Sequence, residues 1–389
     1  MAERTTRTPW GLLPVLSGNM ILDAIEVSIV LLALPAIASD LDSPLWMTQW
    51  LMSGFALGFA AMLPAGPMLA ARCGRRRTYL GALVVFVLAS LLGGLSGSIA
   101  VLIAARVVKG CCAALTAPAG LVVIGTVFPE GPRRRRAVAI YSMFGAAGFT
   151  AGLLLSVLLL AAGWRWVFLF PAPVALVLLV AAWRTLPGDD DGPVAVRIPF
   201  SLLRNGSLVR SAIGAATLNG AYVSLLVLIS WRLSGVRDWP AWQIALGLLP
   251  ACVPLLVLVP FSGALVARFG TARLVAAGAV VTLAGELLYL ARPSPEAYLT
   301  GLLPVFLLVE AGFVLSFAAL NMQAVSAVAA ELRPVSVPLY QTGVQLGGVL
   351  LLPLVTWQAD GSPLIVAAGL IGAVAAFGGT RAGRRKVLS

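Results

Sequence analysis

The sequence predicts an all-α membrane protein with twelve transmembrane helices, and three observations support this prediction. The 389 residues are 60% hydrophobic and only 11% charged, with a mean hydropathy of +0.98. A water-soluble chain of this size could not bury so much apolar surface. Apolar runs of about twenty residues, the length that crosses a bilayer, recur along the chain. The basic residues, finally, are distributed unevenly between the segments that join these runs.

The predicted spans cover most of the chain and are separated by charged residues or by clusters of Gly and Pro. We place them at 11–37, 46–70, 78–97, 100–127, 138–161, 166–184, 210–232, 241–266, 273–291, 299–325, 335–357 and 362–380. The apolar run after the basic first ten residues is long enough to cross the membrane and lacks a small-residue cleavage pattern. We therefore expect no cleavable signal peptide.

Orientation follows from the basic residues, which concentrate in cytoplasmic segments of membrane proteins. With a cytoplasmic N-terminus, 21 of the 27 Lys and Arg residues fall on the cytoplasmic side and four on the outer side. The remaining two, Arg106 and Lys109, fall inside the fourth span. This imbalance predicts that both termini are cytoplasmic.

The longest polar stretch divides the chain into two parts. We predict an N-terminal six-helix bundle at 1–184, a cytoplasmic linker at 185–209, and a C-terminal six-helix bundle with a short basic tail at 210–389. The pattern L-x-A-R-x-G follows the second span as residues 69–74 and the eighth span as residues 265–270. A duplicated six-helix unit would leave such a repeat.

Several classes of function are excluded by what the sequence lacks. There is no His, and the four Cys residues show no metal-ligand spacing, so we expect neither a metal nor a cofactor. A phosphate-binding G-x-x-x-x-G-K-[ST] run is also missing, which argues against an ATP-driven protein. The net charge of +12 is explained by cytoplasmic loops, so we expect no nucleic-acid partner. No catalytic constellation is visible, and we do not expect an enzyme.

A series of motifs extends almost from end to end of the chain. They are residues 22–35 (LDAIEVSIVLLALP), the pair Gln49-Trp50, and residues 67–77 (PMLAARCGRRR), 106–110 (RVVKG), 148–152 (GFTAG), 163–168 (GWRWVF), 243–250 and 345–348. Together these motifs resemble the major facilitator superfamily, near its drug/proton antiporter branch. Residues 22–35 are similar to the branch's first-span signature, Gln49-Trp50 to the opening of its second span, and residues 67–77 to the superfamily's loop motif.

The chain also departs from the family pattern. Ala71 and Ala267 replace the acidic residue of the loop motif, which in the family helps to lock the cytoplasmic side of one conformer. Phe149 replaces the Pro of the fifth-span motif. The branch commonly has fourteen spans, and residues 185–209 leave no room for two more.

Charged residues inside the membrane are costly and point to function. Asp23 and Glu26 lie three residues apart, hence on one helix face, where mutual repulsion and loss of water favour a protonated carboxyl. We predict that they couple transport to protons, with more weight on Asp23 because it matches the motif. Arg106 is their expected partner, and relief of this pairing would be the switch. Asp23 could instead cap a helix break, and Glu26 could contact a cationic substrate.

Other polar residues are candidates for substrate binding. Glu310 in the tenth span, Asn219 and Tyr222 in the seventh, and Gln341 and Gln345 in the eleventh could each contact substrate or merely bond between helices. We expect Glu286 to have a packing role, because the ninth span is peripheral in this fold. Lys109 could reach the interface with its long side chain.

The resemblance also implies a conformational gate. Its predicted residues are Arg72, Gly74 and Arg75 of the loop motif, Gly110 of the fourth span, and Gly148 and Gly152 of the fifth. Small residues let helices approach closely, so packing alone is the alternative for these glycines.

These observations predict a secondary transporter of the bacterial inner (plasma) membrane, most simply a proton-driven exporter of a small organic compound. It would work as a monomer in the lipid bilayer by alternating access, with the substrate and protons as its partners. An importer or uncoupled facilitator on the same fold is the first alternative, because the loop acids are missing. A non-transporting sensor or scaffold is the second.

Overall fold

The computed structural model describes residues 9–128, 131–186, 202, 204–237, 239–291, 298–326, 328, 332–358 and 362–387. Every regular element in these ranges is helical, which confirms the predicted all-α class. A bilayer offers no water to the backbone N–H and C=O groups, and a helix pairs these groups within one segment.

The N-terminal half, by which we mean the described residues up to 186, contains helices α1 to α9. They are α1 Leu13–Asp40, α2 Leu45–Thr48, α3 Trp50–Met62, α4 Gly66–Cys73, α5 Arg75–Leu95, α6 Ile99–Val127, α7 Pro132–Ala162, α8 Arg165–Leu169 and α9 Pro171–Thr185. The C-terminal half, the described residues from 202 onward, contains α10 to α16. They are α10 Gly206–Arg237, α11 Ala241–Leu258, α12 Ser262–Phe269, α13 Thr271–Ala291, α14 Leu303–Ser326, α15 Arg333–Trp357 and α16 Ser362–Val387.

Ten stretches of the described helices are long and apolar enough to cross a membrane. Leu45–Met62 and Gly66–Cys73 meet at a bend of 56° and make an eleventh stretch if the two are counted as one broken span. Pro64 lies in the break, where a proline cannot continue a helix without losing a hydrogen bond. The last predicted span, 362–380, lies within α16. The total of twelve spans and the cytoplasmic termini stay predictions.

The same packing pattern occurs in both halves. In the N-terminal half α1 lies along α7, α3 along α6, and α5 against α9. In the C-terminal half α10 lies along α15, α11 along α14, and α13 against α16. This correspondence agrees with the predicted duplication, whose boundaries stay a prediction because most of the proposed linker at 185–209 lies outside the described residues.

The repeated L-x-A-R-x-G motif forms a sharp corner in each half. Gly74 joins α4 to α5 with a φ of 91°, and Gly270 joins α12 to α13 with a φ of 79°. Glycine adopts these positive φ angles without the steric penalty that a Cβ atom brings. A proline stands ten residues before each glycine, Pro64 in one half and Pro260 in the other, and interrupts the preceding helix. The sequence repeat thus encodes a repeated break and corner.

Buried apolar residues form one shared core and two separate ones. The shared core contains residues of both halves, among them Ile29, Leu34, Leu226, Ile244 and Leu352. All of these belong to the helix ends distant from the chain termini. Toward the opposite ends, the N-terminal half has its own cluster, which includes Leu16, Phe86 and Ile124. The C-terminal half has another, which includes Leu218, Leu274 and Tyr340. Among the described residues, the halves therefore share a core at one end of the helices.

Replacing Gly74 with Ala should destabilise the protein by about 1–3 kcal/mol, because a Cβ atom strains a backbone at this φ. Thermal or chemical unfolding of purified protein in detergent measures this effect. Gly81→Ala is the matched control, because Gly81 lies within α5 and a Cβ there would meet nothing within 4 Å. The control should be neutral or slightly stabilising. Equal stability of Gly74→Ala and Gly81→Ala would contradict this account of the corner.

Candidate functional site

The most strongly buried charges lie in the N-terminal half, where Glu26 of α1 is held between two cations. Arg106 donates from Nη1 to Glu26 Oε2 over 2.7 Å, and Lys109 donates from Nζ to Glu26 Oε1 over 2.6 Å. Glu26 and Lys109 have exposed fractions of 0%, and Arg106 of 1%. We call Glu26, Arg106 and Lys109 the ion triad.

The spacing on α6 explains how one carboxylate meets two cations. Arg106 and Lys109 are three residues apart and therefore project from the same helix face. Arg106 also donates from Nε to the backbone carbonyl of Leu51 over 2.7 Å, which connects the triad to α3. The triad thus joins α1, α3 and α6.

Aromatic rings surround the two cations. The Arg106 guanidinium lies 4.5 Å from the centroid of the Phe55 ring. Lys109 Nζ lies 4.8 Å from the Phe86 centroid and 5.7 Å from the Phe168 centroid. A ring face attracts a cation, and the rings also exclude water from the triad.

Asp23 lies one turn before Glu26 on α1 but in a different environment. It is only half-buried, and its Oδ2 accepts a hydrogen bond from Asn19 Nδ2 over 3.0 Å. Neither Arg106 nor Lys109 bonds to it among the described residues. Arg106, the predicted partner of the two acids, therefore contacts Glu26 and not Asp23. The motif resemblance had placed more weight on Asp23.

Lys109 does not extend to the membrane interface. Its amine is buried and bonded to Glu26, and the side chain therefore does not extend to the interface as the sequence had allowed. The three-residue spacing between Arg106 and Lys109 indicated that both lie on one face of α6. It could not reveal that this face meets α1.

A second acid lies in the C-terminal half. Glu310 of α14 is 2% exposed, and its side chain interacts with that of Tyr222 of α10. The Tyr222 ring packs on Phe313, with 4.7 Å between centroids, and Phe313 stacks on Phe317 at 5.2 Å. We call Tyr222, Glu310, Phe313 and Phe317 the aromatic–acid group.

The other predicted substrate residues lie on the neighbouring helices. Asn219 donates from Nδ2 to the Val344 carbonyl over 3.2 Å, so its amide connects α10 to α15. Gln341 and Gln345 are half-buried on α15. The structure thus places all five predicted substrate residues on α10, α14 and α15, where Tyr222 and Glu310 interact through their side chains.

The predicted gate residues fall into two kinds. Arg72 and Arg75 are exposed on either side of the Gly74 corner. The three helix glycines lie where backbones approach closely: Gly110 of α6 against the Phe55 carbonyl, and Gly148 and Gly152 of α7 against α1. Close packing accounts for these glycines, and their role in a gate stays a prediction.

Acidic residues and cysteines do not assemble into a metal site in the described part of the chain. No group of three or more His, Cys, Asp or Glu side chains there could hold a metal ion. The cysteines Cys73, Cys111, Cys112 and Cys252 are all free thiols.

Comparison with known proteins identifies the family. The model of the Major Facilitator Superfamily matches residues 16–352. A cephamycin export protein of Amycolatopsis lactamdurans is 37% identical over 195 residues, which are 49% of this chain and 40% of that protein. A puromycin resistance protein of Streptomyces alboniger is 36% identical over 203 residues, which are 51% of this chain and 40% of that protein.

A third relative is a multidrug efflux pump of Mycolicibacterium smegmatis, 33% identical over 209 residues, which are 51% of this chain and 42% of that protein. The matched part of the chain thus spans about two fifths of the length of these three relatives.

Solved structures share the fold at low sequence identity. A bacterial homologue of the human lysosomal transporter Spinster, in an inward-facing and unoccupied conformation, superposes with a TM-score of 0.75 at 16% identity. The match covers 96% of both chains. A D-xylose–proton symporter gives a TM-score of 0.76 at 14% identity and covers 95% of this chain and 96% of its own.

The sequence family, the apolar helices and the shared fold agree with the resemblance predicted from the motifs. The chain belongs to the Major Facilitator Superfamily, whose members are transporters rather than enzymes, and it is an integral protein of the bacterial plasma membrane.

Proposed function

We propose that this transporter exports small organic compounds in exchange for protons. The observation that carries the proposal is the placement of two acids on one turn of α1, with Glu26 fixed between two cations and Asp23 half-buried beside it. The direction of transport is supported by relatives that are named as an export protein and an efflux pump.

The two acids are suited to different roles. A proton on Glu26 would leave Arg106 and Lys109 as two uncompensated charges inside the membrane, which is costly. We therefore propose that Glu26 remains an ionised carboxylate and positions both cations. Asp23 bonds only to the neutral amide of Asn19 among the described residues, so it can gain or lose a proton without breaking an ion pair. We assign proton exchange to Asp23.

The charge of the cluster gives a physical reason for exchange. With Asp23 ionised, the two acids balance Arg106 and Lys109, and with Asp23 protonated the cluster carries one positive charge. A positive charge repels a cationic compound nearby, most strongly where water is excluded. Proton and cation would therefore compete, which is the coupling that an antiporter needs.

The substrate class follows from the aromatic–acid group. Glu310 can accept hydrogen bonds from an amine, and the rings of Tyr222, Phe313 and Phe317 can pack against an aromatic body or a cationic head. We propose amphipathic amines as the preferred substrates, with Asn219, Gln341 and Gln345 as further polar contacts.

We propose that alternating access rearranges the apolar cores of the two halves. The shared core closes one end of the helices, and the separate clusters of the two halves lie toward the end that carries the chain termini. We propose that the chain has twelve spans in two six-helix halves, residues 1–184 and 210–389, with cytoplasmic termini. We assign the structure to the inward-open state of this arrangement. Opening to the outside would divide the shared core and join the two clusters.

An uncoupled facilitator is the second candidate. The loop motif carries Ala71 and Ala267 where the family has acids, and Arg72 and Arg75 are exposed and form no ion pair with a described residue. Such a facilitator would move substrate only down its gradient and would not depend on Asp23.

Asp23→Asn should abolish uphill transport, because an amide keeps the bond to Asn19 but cannot release a proton. Everted vesicles with an imposed pH gradient measure this, with puromycin, an amine, and a cephamycin, a carboxylate, as probes. Substrate-evoked proton movement should fall to the level of vesicles without the protein, while downhill exchange remains. Asp40→Asn, on the same helix, is the control and should transport normally. Normal coupling in Asp23→Asn would refute the assignment.

Glu310→Gln should weaken binding of an amine about 10-fold to 100-fold, because one charge-assisted hydrogen bond contributes about 1.5–3 kcal/mol. Binding of puromycin and of a cephamycin to purified protein can be compared by calorimetry. The effect should be confined to the amine. Equal loss for both compounds would show that Glu310 supports the fold instead of recognising charge.

Glu26→Gln should lower the free energy of unfolding by about 3–5 kcal/mol, because it leaves two buried cations unpaired. Adding Lys109→Gln should recover part of this loss, since the double variant has the net charge of the wild-type triad. Unfolding in detergent of the two single variants and the double variant gives the coupling. Additive losses would mean that Lys109 and Glu26 do not stabilise each other.

A further inference from the structure

A cleft in the C-terminal half leads to a buried acid that the proposed function does not use. It lies among α10, α13, α14 and α16 and has a free volume of about 30 Å³. One water molecule needs roughly 10–15 Å³ of such free volume, so the cleft has room for about two water molecules. The ion triad and the aromatic–acid group do not line it.

The acid is Glu286 of α13, with an exposed fraction of 1%. Its Oε2 lies directly against Gly369 of α16, where a Cβ atom would overlap it. Neither carboxyl oxygen has a hydrogen-bond partner among the described residues. An ionised carboxyl without a partner is expensive inside a bilayer, so this group needs a proton or water.

Polar side chains connect Glu286 with the end of the helices that carries the chain termini. The cleft is lined by Thr282 of α13, Ser316 of α14 and Thr217 of α10, and it ends at Arg210 and Gln323. Thr282 Oγ1 also has no partner among the described residues. Glu286 lies 15 residues along α13 from its first residue, or roughly 20 Å at the rise of an α-helix. Hydroxyl groups both donate and accept, so with water they can relay a proton.

The charges around Glu286 are few and come from the helices packed against α13. On α10, Arg210 lines the far end of the cleft, and the Arg232 guanidinium lies 5.5 Å from the Tyr289 ring, one turn beyond Glu286. The acid of α14, Glu310, interacts with Tyr222. The side chains of α16 that the structure describes, up to Ala375, carry no charge. No described cation therefore forms an ion pair with Glu286.

We propose that Glu286 is a second proton-binding site, supplied by water through the cleft from the Arg210 end. Thr217, Thr282 and Ser316 are its proposed relay. The site is separate from Asp23 and does not rest on the proposed function, because protonation of Glu286 can be measured without transport.

Labelling with a lipophilic carbodiimide tests the site directly. The carboxyl oxygen of a protonated acid bonds to the central carbon of dicyclohexylcarbodiimide while the proton moves to one nitrogen, which gives an O-acylisourea. Its acyl group then migrates from oxygen to nitrogen, and the stable N-acylurea is read by peptide mass spectrometry. In liposomes, the Glu286 peptide should be modified at acid pH and progressively less as the pH rises. It should be unmodified in Glu286→Gln. No modification, or modification independent of pH, would overturn the proposal.

Water access is tested with the full chain in which the four cysteines are replaced. Silver ion, a small reagent that binds thiols, is added to the folded protein, which is then denatured and alkylated. Cysteines introduced as Thr217→Cys and Thr282→Cys should be protected from this alkylation. Val280→Cys is the control, because Val280 is 50% exposed on the outer surface of α13, outside the cleft. Protection of both cleft positions but not of Val280→Cys supports the path. Equal reactivity at all three positions, or none in the cleft, would overturn it.

Discussion

Burial of charge in a bilayer is the constraint on which the N-terminal half depends. A carboxylate, a guanidinium and an amine cannot remain in an apolar interior unless they neutralise and bond to one another. Glu26, Arg106 and Lys109 meet this condition with bonds of 2.7 and 2.6 Å. Because the bond from Arg106 to the Leu51 carbonyl adds a third helix, rotation of α1, α3 or α6 would disrupt the triad. We therefore expect these three helices to move together when the transporter changes state.

The two halves share a packing pattern but differ in their chemistry. Breaks at Pro64 and Pro260 and corners at Gly74 and Gly270 repeat the same backbone geometry. The N-terminal half, however, holds its buried acid in ion pairs, whereas Glu310 and Glu286 of the C-terminal half have no ion pair with a described residue. An ion-paired acid such as Glu26 can keep a fixed charge, whereas an acid without an ion pair can respond to a proton or a cationic ligand. Asp23 of the N-terminal half belongs to the second kind together with Glu310 and Glu286.

Hydropathy and the motifs were sufficient to predict the helical class and the family, because both depend on local composition and spacing. The repeat around Gly74 and Gly270 indicated a duplicated unit, but not the corner that each glycine forms. The partner of Arg106 was only partly predictable, since three-residue spacing places Asp23 and Glu26 on one face without fixing the rotation of α1 against α6. Lys109 was underestimated for the same reason. The cleft at Glu286 depends on how several helices pack, which a single sequence does not reveal.

Infrared spectroscopy of the carboxyl groups tests the division of roles between Asp23 and Glu26 without a substrate. Purified protein titrated with acid should show a growing band of protonated carboxyl. Asp23→Asn should remove one component of this band, whereas the double variant Glu26→Gln with Lys109→Gln should retain that component. Loss of the component in the double variant and its persistence in Asp23→Asn would contradict this division, because Glu26 would then be the group that exchanges the proton.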